Sequence, residues 1–72
     1  MSVDIRKYTR VIIRKNNEYL IGKDGVRDVL KWGDSPWDAW WTRDAEEARA
    51  VAKRTGGVAM LFNPVIGKVV IL

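Results

Sequence analysis

Four tryptophans, Trp32, Trp37, Trp40 and Trp41, crowd into the ten-residue run WGDSPWDAWW, and no other position of the chain carries one. A chain of 72 residues is near the size at which folding hides only about 60% of the unfolded surface, so stability is marginal. Small domains usually compensate with disulfides or a bound metal. This chain has no cysteine and no histidine, which leaves large aromatic side chains, each able to bury about 150–250 Å², as the main resource. The fold therefore depends on how these four rings divide between core and surface. The absence of cysteine also fits a reducing compartment.

The rest of the pattern reads as one α+β domain over 1–72. Residues 8–15, YTRVIIRK, are rich in β-branched types, with Val11 and Ile13 alternating against Arg10, Ile12 and Arg14, a strand pattern. Asn16-Asn17 tolerates positive φ and predicts a two-residue hairpin turn, with Glu18 to Gly22 as the return strand. Lys23-Asp24-Gly25 is a further turn signal, and Val26 to Trp32 predicts a short third strand. Gly33-Asp34-Ser35-Pro36 then breaks regular structure. If Trp40-Trp41-Thr42 is extended, successive side chains point to opposite faces, so only one of Trp40 and Trp41 can face inward.

Asp44 is a natural N-cap, with Glu47 placed as in a capping box and acidic residues in the first turn favoured by the helix dipole. Ala45, Ala48, Val51, Ala52 and Thr55 form one stripe at helical spacing, Arg49, Lys53 and Arg54 suit the C-terminal half, and Gly56-Gly57 supplies the left-handed cap. Val58 to Phe62 and Lys68 to Leu72 predict two more strands around an Asn63-Pro64 to Gly67 turn. The expected order is β-β-(β)-loop-α-β-β: an antiparallel sheet of four or five strands with one helix packed on a face. The small-residue stripe lets the helix approach the sheet closely. Trp32 and Trp40 are the rings expected to fill the space beside it, and Trp37 and Trp41 the rings expected outside.

Catalytic chemistry has few places to reside. Without histidine or cysteine neither a Ser-His-Asp nor a Cys-His site can exist, and no metal or other cofactor is expected. Asp34 and Asp38 lie four apart and could bind a cation or act as an acid/base pair, but carboxylates beside Ser-Pro ordinarily cap turns. Lys23-Asp24-Gly25 lacks the remainder of a phosphate loop. An enzyme is therefore not expected. The net charge of +4 is spread among interspersed acids, a weak signal for nucleic acid. Tyr8, Arg10 and Arg14 share one strand face and are the candidate nucleic-acid contacts. Trp37, Trp41 and Arg43 are the candidate protein contacts, since tryptophan and arginine dominate interface hot spots. No stretch is apolar and long enough for a membrane span or a signal peptide. The strand KVVIL carries no charge after Lys68, so an exposed edge there would invite homodimer formation.

The residues from Trp32 to about Lys68, half of the chain, carry a resemblance. Tryptophan, Asp-Ser-Pro, an aromatic, Asp-Ala-Trp, a Thr-led helix with spaced alanines, Gly-Gly and then Phe-Asn-Pro before a glycine turn resemble small proteins of bacteriophages and prophages. The resemblance implies a cytoplasmic location in the bacterial host and origin more than activity. Many phage proteins of this size act stoichiometrically on a host or phage protein, including anti-CRISPR inhibitors of bacterial defence. The alternative expectation is a small nucleic-acid-binding or regulatory accessory using the basic strand face.

Overall fold

The computed structural model describes residues 9–24 and 29–72. Among these residues five strands, one α-helix and a short 3-10 turn follow in the order β1 (Arg10–Lys15), β2 (Glu18–Asp24), β3 (Val29–Gly33), the 3-10 turn at Pro36–Asp38, α1 (Ala45–Thr55), β4 (Val58–Asn63) and β5 (Lys68–Ile71). All strand pairs are antiparallel, in the spatial order β3-β2-β1-β4-β5. The sequence-based architecture of an antiparallel sheet and one helix is thus the observed one. Some limits differ. β2 continues through Lys23-Asp24, where a turn was expected, and β3 ends at Gly33 rather than Trp32. The expected strand start at Tyr8 and the segment 25–28 lie outside the described residues.

The local rules hold where the chemistry is local. Asn16 and Asn17 both take positive φ, 51° and 67°, the pair required by the mirror-image turn that matches strand twist. Asp44 Oδ1 accepts the amides of Glu46 and Glu47 at 3.0 and 3.3 Å. The reciprocal half of the capping box is different: Asp44 donates its own amide to Thr42 Oγ1 at 3.1 Å, so Thr42 takes the place expected for Glu47. Gly56 closes the helix at φ 76°, and Gly57 donates to Ala52 O at 3.0 Å.

The sheet has two cores, one on each face. Val11, Ile13, Leu20 and Ala59 meet Ala48 and Ala52 of the helix, with Trp32, Trp40, Leu30, Val51 and Leu61 packed around them. On the opposite face Ile12, Met60 and Phe62 are buried with Ala39, flanked by Tyr19 and Val69. Strands buried on both faces lose alternation and read as continuous apolar runs. That is why Val11-Ile12-Ile13 and much of Val58 to Phe62 look unpatterned. It also corrects the reading of Ile12, which belonged to an outer strand face in the sequence but has 0% exposure.

The irregular segment before the helix shapes the second core. β1 and β2 pair at Arg14↔Tyr19 and Lys15↔Glu18 beside their turn, and beyond that point residues 40–42 enter between them. Trp40 donates its amide to Leu20 O at 2.8 Å, while Thr42 and Val11 exchange hydrogen bonds of 3.0 and 2.8 Å. Thr42 lies opposite Val11 and so shares its helix-side face. Alternation then sends Trp40 to the helix side, and Ala39 and Trp41 to the other.

Candidate functional site: an indole and two arginines on the helix-free face

The site grows from the inserted segment. Because Trp40 is turned toward the helix, Trp41 must project from the helix-free face, where it remains 42% exposed. On that face β1 presents Arg10, whose guanidinium carbon lies 4.7 Å from the centroid of the Trp41 ring. Arg43, two residues beyond Trp41, brings its own guanidinium carbon to 5.7 Å. Two arginines therefore share one indole, each within the range at which a cation is attracted to the negative face of the ring.

Trp37 stands nearby through a direct cross-strand relation. Arg10 lies opposite Phe62, and the Trp37 ring meets Phe62 edge-on, with centroids 5.2 Å apart and planes at 87°. Trp37 Nε1 donates to Pro64 O at 3.1 Å. The turn at Gly67, with φ 72°, leaves room for this ring, since a Cβ there would lie 3.1 Å from it. Asn63 supports the same turn, accepting Val65 N on Oδ1 at 2.9 Å and Gly67 N on its carbonyl at 2.8 Å. Trp37 is thus 54% exposed yet fixed at both its ring edge and its nitrogen.

The structure regroups the sequence-derived candidates. Trp37, Trp41 and Arg43, chosen as protein contacts, lie on the same face as Arg10, chosen as a nucleic-acid contact. Arg14 is separate: its Nη2 donates to Asn17 Oδ1 at 2.6 Å, and buried Ile12 lies between it and Arg10 along the strand. Tyr8 lies outside the described residues. Trp32 and Trp40 pack against the helix-side core, and Lys15 Nζ sits 5.8 Å from the Trp32 ring. Sequence reasoning did not find Phe62 or Ala39 as the floor of the site, because the contact across the sheet has no local signature.

No family model, curated protein or solved structure matches this chain.

Elsewhere the described residues offer little that could perform a reaction. A cleft of about 400 Å³ opens on the helix side between Leu20, Leu30, Trp40 and Val51, with Arg54 and Thr55 at its margin. Thr55 Oγ1 already donates toward the carbonyls of Val51 and Ala52 at 2.9 and 3.3 Å. Asp34 and Asp38 are both exposed, and among the described residues no three acidic side chains gather to hold a metal. Likewise, no described helix is long and apolar enough to cross a membrane.

Proposed function

We propose that the protein is a non-enzymatic binding module that docks on another protein through Trp41, Trp37, Arg10 and Arg43. The observation that carries this reading is the Arg10–Trp41–Arg43 cluster, an exposed indole with two guanidinium groups within cation–π distance. Exposed aromatic rings that are already fixed lose little freedom on binding, and tryptophan and arginine are the residue types that dominate interface energetics. The arginines add planar donors suited to carboxylates, so the fitting partner surface combines an acidic rim with an apolar pocket. The sequence likeness to small phage and prophage proteins is what suggests the setting of this reading: a host or phage protein as target in a bacterial cytoplasm, with inhibition of a defence system, in the manner of an anti-CRISPR protein, as the proposed role.

A second reading is favoured by the same cluster. An indole flanked by cations is also a platform for stacking a base and pairing its phosphate, the arrangement used by proteins that hold single-stranded nucleic acid. Capture from bacterial lysate with the wild type, Trp41→Ala and Arg10→Ala, each first checked by near-UV circular dichroism, separates the two. Protein docking predicts one partner retained by the wild type in moderate salt and lost by both folded variants. Retention of that partner by folded Trp41→Ala would overturn the reading. Affinity for random single strands that falls steeply with salt would replace it with the second, because phosphate contacts release counterions.

A further inference from the structure

We propose that β5 pairs antiparallel with β5 of a second copy, in the register that sets Val70 opposite Val70 of that copy. β5 is the last strand of the sheet, so its outer edge has no strand neighbour among the described residues. Which of its groups point outward follows from the ladder with β4. Leu72 donates to Ala59 O at 3.3 Å, and antiparallel partners alternate between bonded and non-bonded pairs. With the register Leu61↔Val70 and Asn63↔Lys68, the amides and carbonyls of Val70 and Lys68 point inward. Those of Val69 and Ile71 point away from β4 into the open edge.

An edge with two such residues is self-complementary. With Val69 facing Ile71 of the second copy, and Ile71 facing its Val69, both residues of each chain donate and accept, giving a closed set of hydrogen bonds. Shifting the register to place Val69 on Val69, or Ile71 on Ile71, breaks that reciprocal set. The same register puts β-branched side chains directly opposite one another, a favourable cross-strand combination. It also keeps like charges apart. Lys68, the only charged residue of the strand, faces Leu72 of the second copy.

Exposure agrees with an edge made for covering. Ile71 is 75% exposed and Val70 41%, and Lys68 is the strand's only charged side chain against pairing. Because directly paired residues share a face, the two sheets join into one of ten strands, with both helices on one side. Both Arg10–Trp41–Arg43 clusters then look out from the other side. The seam is short, and interfaces under about 1,200 Å² are weak, so the pair forms reversibly.

The chain has no cysteine, which makes the register directly readable. Val70 and its counterpart form a non-bonded pair with Cα atoms about 4.5 Å apart, inside the disulfide range. Lys68 lies four residues from the other Lys68, roughly 13 Å at about 3.3 Å per residue, beyond that range. Under mild oxidation Val70→Cys should yield about tenfold or more covalent dimer over Lys68→Cys, since disulfide geometry excludes the second pair. Ile71→Pro removes an outward donor and leaves the β4 ladder intact. It should abolish both the Val70→Cys cross-link and the concentration-dependent sedimentation of the wild type. Equal cross-linking of the two cysteine variants, or a wild type that sediments as a monomer at all concentrations, would overturn the proposal.

Discussion

The two faces of the sheet are closed by different means. On one, an eleven-residue helix lays Ala48 and Ala52 against Val11, Ile13 and Ala59, and the half-buried rings of Trp32 and Trp40 complete the layer. On the other, no α-helix lies among the described residues, and Ile12, Met60 and Phe62 are closed by Ala39 of the segment before α1 and by Trp37 of the short 3-10 turn. A helix covers a face with its own backbone bonds satisfied internally, although here a cleft of about 400 Å³ stays open beside it between Leu20, Leu30, Trp40 and Val51. An irregular segment covers only as far as its few side chains reach. The second face therefore has both a dry floor and a rim of half-exposed indoles and arginines, and the candidate site is what this incomplete closure leaves outside.

The comparison would break first at the deepest positions. Ile13 on the helix side and Phe62 on the other are both fully buried, so Phe62→Ala should cost about 3–5 kcal/mol and Ile13→Ala about 2–5 kcal/mol in chemical denaturation. Stabilities of natural domains are about 5–15 kcal/mol, so either loss is a large fraction of the total. A cost below about 1 kcal/mol for Phe62→Ala would show that the helix-free face is surface and not a second core.

Adjacent tryptophans sharpen it next. Trp40→Ala opens the helix-side layer and should cost about 2–4 kcal/mol, less than a fully buried ring, while Trp41→Ala should cost under about 1 kcal/mol. Thermal melts of the two variants measure the difference, and equal shifts would contradict the assignment of opposite faces. Gly57→Ala tests how closely the helix end approaches the sheet. A Cβ there would lie 2.6 Å from Ile13 Cγ2 and 3.1 Å from Arg14 O, so about 1–3 kcal/mol should be lost through overpacking, read from the denaturant midpoint. The smallest effect is at the cap: Asp44→Ala should cost about 1 kcal/mol and lower helix content, with the site side untouched.

Local chemistry explains what could be read without a structure. Asp44 with Gly56-Gly57 marks the helix ends, Asn16-Asn17 marks the turn, and the parity of Trp40 and Trp41 separates an inward ring from an outward one. Each depends on residues within a few positions of one another. The unread parts depend on distant partners. Ile12 looked like one member of a basic strand face because nothing near it in sequence announces Ala39 and Phe62 as its cover. Thr42 captured the Asp44 amide because its place opposite Val11 turns its hydroxyl toward the cap. The junction of Arg10 with Trp41 is likewise a meeting of residues from two segments whose order in space is set by the sheet.

The entry of residues 40–42 between β1 and β2 has a consequence for how the chain reaches this structure. A hairpin with a ready-made turn closes in about 1–10 μs, long before contacts across greater sequence separation are established. Zipped along its whole length, this hairpin would bond Val11 and Leu20 to the wrong neighbours and shut the slot that Trp40 and Thr42 occupy. Refolding followed by tryptophan fluorescence should therefore show the indoles reaching their final environment later than the turn forms.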